Sequence, residues 1–188
     1  MKKVFIGTIV GSIIYFAYLS IMWTSGLHNN FTSYSGRQYQ IMPFLSQNLS
    51  YDGLYMMPYP DPAAADKRKE HEKIRNENVD KPWAMVFYHS HMQSMEAGHI
   101  LMGLFYTLIA CLIASFVLYY TGFKSYWIRF GIAMAFALFT LSQGVLDNMT
   151  WWSFPWSFVK MKVLDLTLGW GICSLWLAWY VKKPLAII

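Results

Sequence analysis

Four side chains that could hold a metal ion lie close together in the sequence, just before the second long apolar stretch. His89 and His91 alternate in a segment rich in β-branched and aromatic residues, so both would lie on one side of a strand. Glu96 and His99 are three residues apart and would share one face of a helix. Imidazole and carboxylate suit zinc, copper or iron. The spacing therefore admits a transition-metal site at these four residues.

The same residues also have a simpler interpretation. One Glu-x-x-His pair is half of a di-iron signature, and the sequence holds no second copy. Carboxylates such as Glu96 and Asp165, in the predicted first turns of helices, are stabilised by the helix dipole. Gly-x-Ser-x-Gly, phosphate-loop and His-Glu-x-x-His patterns do not occur. No cofactor is predicted outright, no residue is predicted to be catalytic, and the sequence leans away from an enzyme.

Other polar and thiol groups fall inside the apolar stretches. Thr140, Gln143 and Asp147 recur at helical spacing, which predicts a polar stripe that points into a helix bundle or toward a partner. Acids lie only toward one end of the predicted helices, which argues against an ion pump or a proton-coupled carrier. Cys111 and Cys173 are predicted to be buried thiols that act as small apolar residues.

Four apolar stretches of about 20 residues each define the class of protein. As a helix, each would rise about 30 Å, the thickness of the hydrocarbon core of a bilayer. The chain is 56% hydrophobic and 13% charged, about half the charged fraction of a soluble domain. We therefore predict a polytopic membrane protein. The stretches are Val4 to Trp23, Ile100 to Tyr120, Tyr126 to Leu146 and Val163 to Val181.

The predicted fold is an all-α membrane protein with four transmembrane helices and a small α/β extracytoplasmic insert. Gly7 and Gly11 form a small-xxx-small pattern that permits close approach of the first helix to a neighbour. The predicted boundaries are 1–23 for the first transmembrane helix, 24–98 for the insert, 99–121 and 126–147 for the second and third helices, 148–162 for an aromatic outer loop, and 163–188 for the fourth helix with a cytoplasmic tail.

The insert contains signals for a strand, a helix and a second strand. Residues 53–57 read as a short strand. Asp61 and Pro62 then resemble the start of a helix, with Asp at the cap and Pro at the first helical position. The solvated segment 63–78 would form that helix, and 83–89 is aromatic and β-branched enough for the second strand.

Basic residues are concentrated at one end of the predicted helices. The net charge is +5, and the basic residues that flank the predicted helices on one side have no acidic companions. Because cytoplasmic flanks collect Lys and Arg, both termini are predicted to be cytoplasmic and the insert extracytoplasmic. The basicity is therefore no sign of a nucleic-acid partner. The flanking residues are Lys2, Lys3, Lys124, Arg129, Lys182 and Lys183.

The second outer loop is unusually aromatic. Trp and Tyr prefer the membrane interface, where one side of a ring is apolar and the other is wet. The loop is predicted to lie in that interface, and the alternative is a docking surface for a lipid, a quinone or a partner helix. Its candidate contact residues are Trp151, Trp152, Phe154, Trp156 and Phe158.

Short motifs spread over most of the chain carry a family resemblance. They are Gly7 and Gly11 in a first helix that ends in Trp23 to His28, Gly53-Leu54-Tyr55 with Pro58 in the insert, Tyr88-His89 before the second helix, and Trp151-Trp152 with Phe154-Pro155 before the fourth. In this order they resemble a family of uncharacterised bacterial inner-membrane proteins. The resemblance implies four transmembrane helices and a periplasmic insert, and it implies no activity.

Two functions of different classes follow. The first is a non-catalytic accessory or assembly subunit that docks to a larger inner-membrane complex, with membrane lipids and other membrane-protein subunits as partners. It rests on the lack of deep polar chemistry in the helices and on the aromatic loop. The alternative is a metal- or small-ligand-binding membrane protein with a site at the outer interface. Its residues would come from His28, His89, His91, Glu96, His99 and Asp147.

Overall fold

Four helices are long and apolar enough to cross a membrane. Large apolar side chains are exposed all along them, as at Phe5, Phe116, Trp127 and Trp179. Helices that are apolar on every side are the pattern expected of segments surrounded by lipid or by other helices. The four are called the first to fourth long helices and run over Lys2–Thr24, Ala97–Thr121, Tyr126–Trp151 and Trp156–Tyr180.

The structure is a computed structural model that describes residues 1–28, 32–92, 94 and 97–183. The chain divides into two compact units. One unit, the bundle, holds Met1–Tyr34 and Met95–Ile188 and contains the four long helices. The other, the insert, is Ser35–Ser94. Glu96, one of the predicted metal ligands, lies outside the described residues.

In the bundle, the first long helix packs antiparallel to both the second and the fourth, and the third packs against the fourth. Glycines make the first helix thin where it meets its neighbours. A methyl group on Gly7 would overlap the side chain of Val181, and one on Gly11 would lie 3.0 Å from Leu177. The close approach predicted from the glycine spacing is therefore confirmed, because only glycine leaves room for these contacts.

Two cysteine thiols are in contact at the centre of the bundle. Cys111, on the second long helix, and Cys173, on the fourth, are fully buried. Their sulfur atoms are 3.7 Å apart, and the Cys173 thiol also donates to the Gly11 carbonyl over 3.3 Å. Both are free cysteines, so their predicted role as buried thiols is confirmed. They join three helices at one level of the core.

The polar stripe on the third long helix is divided. Thr140 lines a cavity of about 280 Å³ with residues of the other three long helices, and its hydroxyl donates to a carbonyl of its own helix. Gln143 and Asp147 are exposed. The segment Leu141–Leu146 is a π-helix, whose wider turns shift side chains away from the α-helical spacing. The inward alternative therefore holds for Thr140 at this cavity. Contact of Gln143 and Asp147 with a partner remains a prediction.

The fourth long helix begins at Trp156, well before the predicted start at 163. Because Lys160 and Lys162 interrupt the apolar run, hydropathy alone does not indicate that the two turns before 163 are helical. Most of the predicted outer loop, 148–162, is consequently helical, and the expectation that Asp165 occupies a first turn is wrong. Asp165 lies nine residues beyond Trp156, which at about 1.5 Å per residue is roughly 13 Å along the helix.

The insert contains a two-stranded antiparallel sheet. Strand β1, Gly53–Met57, pairs with strand β2, Ala84–Tyr88, so that Tyr55 lies opposite Val86. Both predicted strands are therefore confirmed. Two helices accompany them, Gln38–Asn48 and Lys67–Glu77.

The predicted start of the insert helix at Asp61 and Pro62 is wrong. The Asp61 carboxylate accepts a hydrogen bond from the Ala63 N–H over 2.8 Å, within a turn that does not continue as a helix. Asp66 is the true cap and accepts from the Lys69 N–H over 3.1 Å. Two aspartates five residues apart offer the same local signal, and sequence alone does not say which of them the backbone uses.

Candidate functional site

A buried pair of ionisable side chains joins the first and fourth long helices at the end of the bundle to which the insert connects. His28 follows the first long helix, and its Nε2 lies 3.2 Å from Oδ2 of Asp165. The two residues are only 6% and 3% exposed. They are 137 positions apart in the sequence, so only the packing of the helices brings them together.

Lys162 supplies a compensating charge. Its Nζ lies 3.9 Å from Asp165 Oδ2, one helical turn away, and 5.8 Å from the centre of the Phe158 ring. The Lys162 side chain is about half exposed, whereas that of Asp165 is buried. Lys162 therefore places a basic side chain beside the buried carboxyl group.

The pair forms one wall of an open cavity of about 760 Å³ between the first, second and fourth long helices. The other walls are mostly apolar. We call this cavity the His28 pocket. Its lining residues are Phe16, Leu19, Ser20, Trp23, Thr24, His28, His99, Ile100, Gly103, Phe158, Met161, Lys162 and Asp165.

Two polar atoms of the buried pair have no hydrogen-bond partner among the described residues. They are Nδ1 of His28 and Oδ1 of Asp165. Buried polar atoms are nearly always paired, because leaving one unpaired costs about 1–3 kcal/mol. Both residues line the His28 pocket, but each of these two atoms is itself buried. A polar group in the pocket would reach them only after a side chain rotates.

The hydroxyl groups in the pocket are already engaged. Ser20 donates to the carbonyl of Phe16, and Thr24 donates to that of Ser20, each over 2.8 Å. Neither hydroxyl is bonded to His28 in the described part of the chain. The nucleophile–base contact of a hydrolase is therefore not formed by these two hydroxyls among the described residues.

The structure separates the residues of the predicted metal site. His99 lines the His28 pocket in the bundle, whereas His89 and His91 belong to the insert and line a cavity of about 590 Å³ there. Among residues 1–28, 32–92, 94 and 97–183, no three His, Cys, Asp or Glu side chains are placed to hold a metal ion. Metal binding by these residues stays a prediction.

His89 has a partner within the insert. Its Nδ1 lies 3.4 Å from Asp52 Oδ2, and Asp52 also accepts from the hydroxyl of Ser90 over 2.7 Å and from the Ser90 N–H over 2.8 Å. The hydroxyl bond of Ser90, more than any other contact, lowers the pKa of Asp52 below its ordinary value. These contacts join the residue before strand β1 to the two residues after strand β2.

The predicted aromatic contact residues lie at the junction of the third and fourth long helices. Trp151 and Trp156 are 75% and 58% exposed, and Trp152 is also exposed. Phe154 and Phe158 pack edge to face with ring centres 5.2 Å apart, and Phe158 also lines the His28 pocket. Their contact with lipid or a partner stays a prediction.

The opposite end of the bundle holds a second buried charge, on Arg129. Its Nε donates to the carbonyl of Ala178 over 2.8 Å. One terminal nitrogen donates to the carbonyls of Phe123 and Lys124 over 2.7 and 2.6 Å. The guanidinium ties the loop before the third long helix to the end of the fourth, which is a structural role.

Sequence reasoning recognised His28 and Asp165 as ionisable but did not pair them. The placement of Asp165 in a first turn made it look like a favourable charge at a helix end. A signal was available in Pro155, which is followed by six residues without glycine or proline before Lys162. Starting the helix there would have placed Asp165 well inside it.

Comparison with known protein families, with curated proteins and with solved structures finds no match to this chain. The function is therefore argued from the geometry of the His28 pocket.

Proposed function

We propose that this protein is an integral membrane protein that binds a small amphipathic molecule in the His28 pocket. One observation carries the proposal. The buried pair of His28 and Asp165 borders an apolar cavity, and one polar atom on each is unpartnered among the described residues. A ligand headgroup that reached these atoms after a rotation of the side chains would remove the cost of leaving them unpaired, and its apolar portion would cover the walls.

The depth and size of the pocket support a ligand site. Asp165 lies roughly 13 Å along a helix of membrane-spanning length, and ionisable groups inside such helices are costly and usually functional. The cavity of about 760 Å³ falls within the range of small-molecule sites, about 300–1,000 Å³.

The test is a search for the ligand in the purified protein. The full chain is extracted from membranes in mild detergent, and solvent extracts are analysed by mass spectrometry for the wild type, His28→Phe and Asp165→Leu. An amphipathic molecule should accompany the wild type and be depleted at least about tenfold from both variants. Asp80→Asn, at an exposed acid of the insert, is the control. Equal amounts in all four proteins would refute the proposal.

Elemental analysis of the same samples tests the predicted transition metal. Zinc, copper or iron in stoichiometric amount, lost on His89→Ala and His91→Ala, would support a metal site in the insert. Such a result would leave the His28 pocket without a role in metal binding. Both histidines line one cavity, so a double variant removes the nearest candidate ligands together.

Membrane topology is part of the proposal. We infer that both termini and the loop near Lys124 face the cytoplasm, and that the insert faces the outside, in a bacterial inner membrane. The support is the set of flanking basic residues without acidic companions. Reporter fusions after Lys183 and within the insert would test this, because active phosphatase fused to the C-terminus would reverse the orientation.

A second candidate function is an accessory subunit of a larger membrane complex. It is supported by the exposure of the third long helix. Only 11% of its most apolar 18-residue segment is buried, against 44% for the fourth long helix. Gln143 and Asp147 are exposed on that helix, and polar groups facing lipid favour a protein partner. Co-purification from native membranes, lost on Gln143→Leu with Asp147→Leu, would support it. A monomer without partners would contradict it.

A further inference from the structure

We propose that the insert binds a monovalent copper ion at the cavity of about 590 Å³ that His89 and His91 line. Met42 and Met92 line the same cavity, which is called the insert cavity below. The site is independent of the His28 pocket. It uses two histidines and two methionines, so it is compatible with the finding that no three His, Cys, Asp or Glu side chains among the described residues are placed to hold an ion.

The ring of His89 is oriented by its contact with Asp52. Ser90 donates to Oδ1 of Asp52 from its hydroxyl over 2.7 Å and from its N–H over 2.8 Å, whereas Oδ2 faces Nδ1 of His89 at 3.4 Å. Because Nδ1 is engaged by a carboxylate, Nε2 is the nitrogen with which His89 can bind a metal. Histidine ligands almost always donate their second ring N–H to such a partner, which fixes the ring and raises its basicity. The contact therefore has the form of the outer half of a carboxylate–histidine–metal arrangement.

Two methionines bring thioether sulfurs to the same cavity from different segments. Met42 belongs to the helix Gln38–Asn48, and Met92 follows strand β2 together with the two histidines. Met42 is 52% exposed and Met92 is fully exposed, so neither side chain fills the interior of the insert. Methionine has three rotatable bonds, so each sulfur can turn onto an ion in the cavity without a movement of the backbone.

The donors of the insert cavity favour a soft ion. Thioether sulfur selects copper(I), whereas carboxylate and carbonyl oxygens suit magnesium, calcium and manganese. None of the described side chains that line the cavity is a carboxylate or a thiol. Zinc and copper(II) bind well to imidazole but gain little from a thioether, and the described lining offers them two imidazoles. Copper(I) is the ion to which both the histidines and the methionines contribute.

The experiment measures copper(I) binding to the full chain in mild detergent. Copper(I) is kept reduced by ascorbate without oxygen and is titrated in competition with bicinchoninate, a chromophoric copper(I) chelator. The wild type should bind one ion per chain. Met42→Leu with Met92→Leu should bind it at least about tenfold more weakly, because leucine keeps the volume of each side chain and removes the sulfur. Met57→Leu with Met149→Leu is the matched control, since both methionines are exposed outside the cavity, and it should bind like the wild type.

X-ray absorption at the copper edge identifies the ligands directly. The loaded wild type should show both sulfur and nitrogen neighbours, and the methionine variant should lose the sulfur signal. His89→Ala with His91→Ala should abolish tight binding. Asp52→Asn should bind about 10–100-fold more weakly and keep both kinds of neighbour, because Asp52 positions His89 and does not itself touch the ion.

Three results would overturn the inference. Equal binding by the wild type and the methionine variant would show that the sulfurs are not ligands, as when the buried thiols of Cys111 and Cys173 hold the ion. Zinc or copper(II) bound more tightly than copper(I) would replace the site with a divalent one at the two histidines. A wild type that takes no copper(I) from the chelator would contradict the inference outright. None of these results bears on the His28 pocket, whose ligand is sought in a separate extract.

Discussion

The two ends of the helix bundle each bury a charged side chain, but only one end leaves it incompletely paired. At the end near the termini, Arg129 is 5% exposed and donates to the carbonyls of Phe123, Lys124 and Ala178. At the other end, Asp165 is 3% exposed, and its Oδ1 has no partner among the described residues. Burial of a charge is therefore a weak guide to function, and the pairing of its polar atoms is the better one.

The difference follows from what each side chain has nearby. Arg129 has several carbonyl oxygens within reach, where a loop meets a helix end, so its charge is satisfied by backbone groups. Asp165 lies within a helix, in the π-helical segment Asp165–Gly169, and faces a cavity. Such segments are frequent at functional sites. The buried charge at the first end is paired by backbone groups, whereas the one at the second end keeps an oxygen without a partner among the described residues.

The largest expected effect is on stability, at Arg129. Arg129→Met should lower the free energy of unfolding by about 2–4 kcal/mol, because three carbonyls, of which that of Ala178 is buried, lose a charged donor. Lys160→Met, at an exposed lysine, serves as the control and should change it by less than about 0.5 kcal/mol. Thermal unfolding in detergent measures both. Equal stability of the two variants would show that Arg129 does not stabilise the bundle.

The next effect is on binding, at the His28 pocket. The double variant His28→Phe with Asp165→Leu should bind the amphipathic ligand at least about tenfold more weakly. Its unfolding free energy should stay within about 1 kcal/mol of the wild type or rise, because apolar replacement of a buried ionic pair is often neutral or stabilising. Ligand-free protein must be used for the unfolding measurement, since bound ligand stabilises by mass action. A loss of several kcal/mol would assign the pair a structural role.

Alanine substitutions at two glycines, one at each end of the bundle, should have smaller effects on stability. A methyl group on Gly7 would overlap Val181 near the termini, so Gly7→Ala should destabilise by about 1–3 kcal/mol. At the pocket, a methyl group on Gly103 would lie 3.4 Å from Phe16, an acceptable contact, and alanine is the better helix former. Gly103→Ala should change stability by less than about 1 kcal/mol. Unfolding of both variants in one detergent tests whether packing is tighter at the first end.

The smallest expected effect concerns the insert. Because its hydrogen bonds depress the folded pKa of Asp52, its stabilising contribution is fully present above the ordinary value of 3.8. It is lost as the pH falls through the lower folded value. The protection factor of the Ser90 amide hydrogen, which is its intrinsic exchange rate divided by the observed rate, should therefore fall on acidification. Asp52→Asn should abolish this fall, and an unchanged pH profile of the protection factor in the variant would contradict the assignment.

Much of the fold could be predicted from sequence because its signals are local. Hydropathy over about 20 residues indicates each long helix, and alternation indicates strands β1 and β2. The spacing of Gly7 and Gly11 marked the close contact of the first helix. Boundaries failed where two signals compete, as at Asp61 and Asp66 in the insert and at Lys160 and Lys162 before the fourth helix.

The candidate site could be predicted only in part. Histidines and acids toward one end of the helices were visible in the sequence, and His99 does line the pocket. The metal prediction joined residues by their nearness in the chain, whereas the structure assigns His89 and His99 to different units. Nearness in sequence cannot report contacts that depend on how helices pack.

The sequence by itself determined the class of this protein: four helices of membrane-spanning length, with a small two-stranded insert after the first. These features depend on the transfer of apolar side chains out of water and on backbone periodicity, which each segment carries alone. Only the tertiary structure decided that His28 meets Asp165, that Cys111 meets Cys173 and that Arg129 is satisfied by carbonyls. The physical reason is that pairing across 62 or 137 residues is decided by the fit of helix surfaces, which no single segment contains.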